Sequence, residues 1–345
     1  MKQRLVDRGE LMVFGVGLSI GTVNTVCATA SDRAGKNPPG RRRGAVPVTW
    51  RTTLTFDSSG NARVGRIPKH GRVITEFADL TQRGAPTARV GHRALTASDL
   101  VATVAYSVIE EVLGKAPAAD TAVTVAHPAG YSDDHVADLR AALAGVGLDR
   151  ATLLAEPLAA VSWLAAERGP LTPGLALVYD LGGSGLTVTL VRVGAGAPAD
   201  PIVGEPVRST DYGGRAFGGM LAQHLKRHGG SVVSHVSDAD AGELRARHVR
   251  RSLALVYRGL RIADVTMADV DRVLVVGGAA RPPEVAEVLS AELARPVIVA
   301  QDPERTIADG AAIAARDAQL DHEAATHRHP GFSLFRRRLA RVAAI

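Results

Sequence analysis

Cysteine occurs once in the 345 residues, at Cys27, which excludes an internal disulfide and a cysteine-built zinc cluster and fits a reducing, cytoplasmic setting. Aromatic residues make up only 4% and are not interleaved with basic ones, so the stacking platform of a single-strand nucleic-acid binder is missing. No stretch approaches the roughly 20 consecutive apolar residues of a membrane-spanning helix. Lys2 and Arg4 precede an apolar run ending in Ala28-Thr29-Ala30, a loose imitation of a secretory signal. Asp7 and Glu10 lie before that run, and glycines and Asn24 interrupt it, which argues against the signal. Two common nucleotide motifs are absent as well. Gly35-Lys36 and Gly114-Lys115 are followed by Asn37 and Ala116, so no P-loop is present, and Ile20 stands where a dinucleotide fingerprint beginning at Gly15 needs its last glycine.

What is there is a globular composition of 46% hydrophobic and 22% charged residues, with 36 glycines. The length suits about two domains, each with its own core. The formal charge of +6 comes largely from Arg41, Arg42 and Arg43 and from Arg336, Arg337, Arg338 and Arg341. Such clusters attract phosphate or anionic lipid, or are simply solvated loops and ends. The tail from Pro330 adds Phe332, Leu334, Phe335, Leu339, Val342 and Ile345 to its arginines. Residues 332–345 therefore suit weak contact with an anionic membrane or a partner groove, with a frayed terminus as the plain alternative.

Along the chain, Leu11 to Leu18 reads as a buried strand running into a glycine turn, and Lys36 to Pro47 as a loop. Asp57 to Asn61 is a turn signal between two short β-patterned stretches. Leu100, Val104, Val108 and Val112 recur at helical spacing. Thr121 to Ala126 predicts a strand, and Val136, Leu139, Leu143 and Val146 a helix capped by Ser132 or Asp133, giving a parallel βαβ unit. The second half repeats the scheme. Leu175 to Asp180 is a strand, Gly182 to Gly185 a turn, Leu186 to Val193 a second strand, and Phe217, Leu221 and Leu225 mark a helix. Val273 to Val276 is another strand, ending in Gly277-Gly278. A ligand is expected between the halves, at the carboxyl ends of the strands.

Glycine suits a phosphate loop because the backbone must approach the phosphate closely with its amide hydrogens pointing inward. Gly17-Leu18-Ser19-Ile20-Gly21-Thr22 and Asp180-Leu181-Gly182-Gly183-Ser184-Gly185 both have this character. Taken singly, either would serve equally well as a buried hairpin turn.

Order and distance add to this. Val16 to Thr22, Leu154-Ala155-Glu156-Pro157-Leu158-Ala159-Ala160, Leu177 to Gly183, Asp211-Tyr212-Gly213-Gly214-Arg215 with Phe217, and Val273 to Arg281 followed by Asp302-Pro303-Glu304 and Asp309 to Ala312 succeed one another in that order. Together they resemble the nucleotide-binding domain of the seventy-kilodalton heat-shock chaperones, in the actin and hexokinase superfamily. The resemblance implies an α/β, duplicated actin-like ATPase fold, two domains each with a mixed central sheet flanked by helices. It implies an N-terminal extension over residues 1–10, domain I over 11–172, domain II over 173–317 and a basic tail over 318–345. ATP or ADP with Mg2+ is the implied ligand, contacted by Gly17, Ser19, Gly21, Thr22, Val23, Gly182, Gly183, Ser184, Gly213, Gly214, Gly277, Gly278, Arg281 and Glu304. Asp180 is implied to hold the magnesium through water, and Glu156 to share the same polar network.

Several departures from the family bear on hydrolysis. Ser19 replaces the acid of the first phosphate motif, Gly185 and Thr187 stand where the family has threonine and a second aspartate, and no lysine falls at Phe77-Ala78-Asp79-Leu80; Lys69 lies upstream. Thr22 and Thr187 remain as hydroxyl donors. Most of the adenine-side subdomain is expected to be missing between Arg227 and Asp271, leaving Arg247, Arg250 and Arg251 either to stack on adenine or to form a solvated helix face. The peptide-binding domain is expected to be lacking after Ala315. The resemblance thus implies a nucleotide-dependent conformational switch, read by a protein partner, with slow or absent hydrolysis. The alternative is a nucleotide-independent scaffold that docks a protein or membrane through its tail.

Overall fold

Runs of β-branched and small apolar residues, almost continuously buried, build the inner strands of the two central sheets. In the computed structural model, which describes residues 14–31, 49–67, 73–82, 84, 86–90, 92–118, 121–228 and 237–327, β1 (Phe14–Ile20) and β2 (Asn24–Ser31) form an antiparallel pair extended by β3 (Thr49–Arg51). Two short hairpins follow, β4 (Leu54–Phe56) with β5 (Ala62–Val64) and β6 (Ala88–Val90) with β7 (Arg93–Leu95). The Asp57 carboxylate turns the first of them by accepting the backbone amides of Ser59 and Asn61, the Asx chemistry its sequence signals. Helix α1 (Ala97–Leu113) starts on a Thr96–Asp99 capping box and ends on Gly114 in the left-handed region. Then come β8 (Ala122–His127), α2 (Asp133–Gly145) capped by Ser132, β9 (Thr152–Ala155) and α3 (Glu156–Arg168).

The second half contains β10 (Gly174–Leu181), β11 (Leu186–Val193), β12 (Ile202–Ser209), α4 (Gly214–His228), α5 (Asp238–Ile262), β13 (Arg272–Val276), α6 (Pro283–Leu293), β14 (Val297–Val299) and α7 (Thr306–His327). The two sheets have the same design. The first runs β3-β2-β1-β8-β9 and the second β12-β11-β10-β13-β14, each an antiparallel meander followed by two parallel strands. The duplication expected from the order of strands and glycine turns is thus present at the level of topology. Two mixed sheets of this order, flanked by helices, make the actin-like ATPase fold.

Helices α3 and α7 pack on each other between the sheets. Ala159, Ala160 and Leu164 of α3 share a core with Ala176, Val178, Leu274 and Val276 of the second sheet, while Ala308 and Ala312 of α7 pack on Val26 and Ala28 of the first. Chain order places residues 306–317 in the second half, but they pack on β1, β2 and β8 of the first sheet as well, with Ile307 and Ala311 in the core of the second. That approach is close because β1 has no side chains facing the helix at two positions. A Cβ on Gly17 would lie 2.1 Å from the amide nitrogen of Ala312, and one on Gly15 would lie 2.3 Å from its carbonyl oxygen. Among the described residues no helix is long and apolar enough to cross a membrane. Residues 1–13, Arg41 to Arg43, Lys69 and the tail from 328 lie outside the described residues.

Candidate functional site

Three backbone turns end the central strands β1, β10 and β13 at one cleft between the lobes, with a volume of about 370 Å³. That size suits an organic ligand as large as a nucleotide, since small-molecule sites commonly measure about 300–1,000 Å³.

The first turn is shorter than its sequence suggests. β1 continues through Ile20, so only Gly21, Thr22 and Val23 separate it from β2. The Gly21 amide donates to the Asn24 carbonyl at 3.0 Å, the Thr52 hydroxyl donates to the Gly21 carbonyl at 2.6 Å, and the Thr52 amide donates to the Val23 carbonyl at 2.8 Å. Ser19, Gly21, Thr22 and Val23 line the cleft. Gly17 does not, and here the sequence expectation is corrected. It is buried inside β1, opposite Ala28 and Thr124, and its missing side chain serves the contact with α7 rather than a phosphate.

The second turn, between β10 and β11, closes with the Gly182 amide donating to the Gly185 carbonyl at 2.9 Å. The amides of Gly214 and Arg215 donate to the carbonyls of Gly182 and Gly183 at 3.0 and 2.9 Å, fastening the start of α4 to the turn. Gly182, Gly183, Ser184 and Gly214 line the cleft, together with Gly185 and Thr187. Gly213 is buried behind the turn, outside the cleft lining, where a Cβ would lie 2.7 Å from the Gly185 amide nitrogen. It braces the loop rather than facing a ligand, a second correction.

The third turn begins at Gly277, whose φ of +94° is a conformation that favours glycine, and whose Cβ would sit 2.6 Å from Asp180 Oδ1. The amide of Gly277 donates to the carbonyl of Pro303 at 2.9 Å. Next to it, Arg281 donates to Asp302 Oδ1 and Glu304 Oε2, both at 2.8 Å, and Asn24 of the first lobe donates its side-chain amide to Glu304 Oε1. Gly277, Gly278, Arg281 and Glu304 all line the cleft.

Asp180 at the end of β10 and Glu156 at the start of α3 face the same cleft, the pairing expected of them. Burial pushes both carboxyls up, Asp180 to about 6 and Glu156 to about 8, with the charge of Asp180 raising Glu156 further and the Arg208 guanidinium pulling both down. Among the described residues no group of three or more histidine, cysteine, aspartate or glutamate side chains gathers as a metal cage. A magnesium ion needs no such cage, since one or two carboxylates with phosphate oxygens and water suffice. The paired carboxyls of Asp180 and Glu156, the cleft volume and the backbone turns that line it therefore fit a magnesium nucleotide.

Two features of the site escaped the sequence. Arg208 on β12 reaches the cleft and pairs with Asp79 of the first lobe at 2.9 Å, and Asn24 ties the lobes through Glu304. Arg208 carries no local signal, because its meeting with Asp79 spans more than a hundred residues of sequence. Conversely, the arginines of α5 are not brought to the cleft. Arg247 pairs with Glu243 and Arg250 with Glu292, and neither they nor Arg251 line it.

Residues 223–320 match the family model described as Hsp70 protein. Over 228 residues, the chain is 29% identical to a chaperone protein HscA homolog of Aeromonas hydrophila and 28% identical to chaperone protein HscA of Escherichia coli and of Citrobacter koseri. Each match covers 56% of this chain and 36% of the relative, so the similarity spans about a third of the length of these curated relatives. The chain is thus similar to the Hsp70-type chaperones both in sequence and in the fold that carries its cleft.

Proposed function

We propose that this chain is an ATP-binding protein of the Hsp70 type, acting as a nucleotide-dependent conformational switch with slow or absent hydrolysis. The observation that carries this reading is the convergence of three glycine turns, from both lobes, on one cleft with Asp180 and Glu156 at its floor. Gly21, Thr22 and Val23 from one side and Gly182, Gly183 and Ser184 from the other supply backbone amides and hydroxyls at the height where phosphates would lie. Gly277, Gly278 and Arg281 form the wall for base and ribose. Asp180 would hold magnesium through water, and the bound ion would offset phosphate charge. Slow turnover follows from the side chains at the strand ends. Ser19 and Thr187 can donate hydrogen bonds but are not general bases near neutral pH, and each missing transition-state donor costs about 10²- to 10³-fold in rate.

Because the lobes meet through α3, α7 and the cleft side chains, closure around a ligand would change the surface that a protein partner reads. Thermal unfolding of the purified protein with increasing ATP and magnesium tests the reading. At 100 times the dissociation constant the ligand should stabilise by about 2.7 kcal/mol, and Asp180→Ala should remove most of that shift. No shift at millimolar ATP would leave the nucleotide-independent scaffold as the better account. Phosphate release near background by the wild-type protein is expected; rapid release would contradict the slow-turnover half of the proposal.

A further inference from the structure

The second sheet sets three side chains in one row across its cleft end. Asp180 of β10 is paired with Thr187 of β11, and Thr187 with Arg208 of β12. Directly opposed residues of antiparallel strands project from the same face, and all three line the cleft. The strand order then fixes the direction of the row. β13, with its Gly277–Arg281 turn, lies on one side of β10, whereas β11 and β12 lie on the other. At about 4.8 Å between neighbouring strands, Arg208 is rooted roughly 14 Å from the β13 turn. A nucleotide with its base against Gly277 and Arg281 would run its phosphates along the row, and the last of them would come nearest to Arg208.

The two basic side chains lining the cleft among the described residues are Arg208 and Arg281, and their surroundings differ. Arg281 is held by two carboxylates, Asp302 and Glu304. Arg208 has one carboxylate partner, Asp79, at 2.9 Å, and its other terminal nitrogen lies 3.4 Å from the Ser184 hydroxyl at the tip of the second glycine turn. The Arg208 side chain is about a third exposed and open to the cleft, at 32%. Asp79 is less free to follow it, since its loop is pinned on both sides by Tyr131. The Tyr131 hydroxyl donates to the Ala78 carbonyl at 3.0 Å and accepts the Leu80 amide at 3.2 Å. A planar guanidinium pairs with phosphate oxygens through two parallel hydrogen bonds, more strongly than with one oxygen of a partly solvated carboxylate.

We propose that Arg208 is the residue that reads the third phosphate of the nucleotide, exchanging Asp79 for phosphate oxygens, so that a triphosphate breaks the tie between the lobes and a diphosphate leaves it in place. This rests on the nucleotide reading of the cleft and adds to it the group that tells ATP from ADP.

Dissociation constants for ATP and for ADP, each with magnesium, measured by calorimetry on the wild type and on Arg208→Ala, Arg208→Lys, Asp79→Ala and Lys69→Ala, test it. The wild type should prefer ATP. Arg208→Ala should weaken ATP about tenfold or more, the usual size of a lost charge-assisted hydrogen bond, and change ADP by less than about twofold on the same scale. Arg208→Lys should recover part of the loss, and Asp79→Ala should tighten ATP alone, because the competing carboxylate is gone. Thermal unfolding of each variant checks that it is folded, and Arg208→Lys keeps the charge if the alanine variant does not fold. Equal weakening of both nucleotides by Arg208→Ala, or of neither, overturns the assignment while leaving nucleotide binding intact. So does loss of the ATP preference in Lys69→Ala with Arg208→Ala unaffected, or a failure of Asp79→Ala to tighten ATP. A wild type that binds neither nucleotide removes the underlying reading of the cleft, and is seen before any variant is compared.

Discussion

In the first lobe the glycines of β1, Gly15 and Gly17, lie within the strand and let α7 pack against its backbone. Counting back from the turn, the corresponding positions of β10 in the second lobe are Ala176 and Val178, which fill the space in front of α3 with side chains. The second lobe instead places Gly182, Gly183, Gly185, Gly277 and Gly278 beyond the ends of its central strands, in the two turns that face the cleft. The strand ends differ in the same sense. Ser19 closes β1 where Asp180 closes β10, and the second sheet alone continues the row with Thr187 and Arg208. Two lobes with one topology are therefore chemically unequal. The first provides the seat for the crossing helices, and the second provides most of the charge and backbone that a phosphate would meet. Glycine admits the packed helix at Gly15 and Gly17 and lines the cleft at Gly21, Gly182, Gly183, Gly277 and Gly278, and only its neighbours decide which.

The sharpest way to break that comparison is Gly17→Ala. Its Cβ would lie 2.1 and 2.3 Å from backbone atoms of Ala312 and Ala308, which cannot yield without moving the helix. A loss of about 3 kcal/mol or more in urea unfolding is expected, toward the upper end of what overpacking costs. A fully stable variant with weakened ATP binding would mean that Gly17 faces the ligand after all. Gly277→Ala should also cost several kcal/mol, about 1–3 from a backbone conformation that disfavours side chains and more from a Cβ 2.4 Å from the Leu181 carbonyl oxygen. It should also displace the Asp180 carboxylate 2.6 Å away and so weaken nucleotide binding disproportionately. If both variants lost stability without any specific loss of binding, the division of roles between the lobes would fail.

A third test uses pH. Asp180 and Glu156 are raised in the folded protein, to about 6 and about 8, whereas both titrate near 4 in an unfolded chain. The folded state then binds more protons than the unfolded one between those values, so stability of the nucleotide-free protein falls as pH rises. The fall should extend across the range from about pH 4 to about 8, in which the buried pair keeps protons that the unfolded chain has released. Chemical denaturation across that range checks the sign, and Asp180→Asn combined with Glu156→Gln should flatten the profile. The smallest effect belongs to Arg215→Ala, which breaks an exposed pair with Glu76 of the other lobe, at 2.7 Å. A loss of no more than about 1 kcal/mol is expected, and a much larger one would show that the lobes depend on their rim contacts as well as on α3 and α7.

Much of the fold was legible because local chemistry and global packing agree. The Ser132 cap, the Asp57 turn and the buried strand runs each have short-range causes, and each element formed where those causes predict. The repeated order of strand, glycine turn and strand foretold the matching sheets, and most of the residues assigned to the cleft do line it. What a linear reading missed has one physical reason. Gly17 and Gly213 act through backbone atoms that lie far off in sequence or behind the turn, and Arg247 and Arg250 of α5 pair with carboxylates on their own helix and on α6.

By itself, the sequence determined the two-lobed α/β plan and the turns that end the central strands, because these follow from apolar periodicity and turn chemistry; the pairing of Asp180 with Glu156 came only from the family resemblance. Only the tertiary structure decided which glycines face the cleft, that α7 returns to the first sheet, and that Arg208 meets Asp79 across the lobes. Those depend on which surfaces come within a few ångströms when the two sheets close on their crossing helices, and no stretch of chain carries that distance in its own residues.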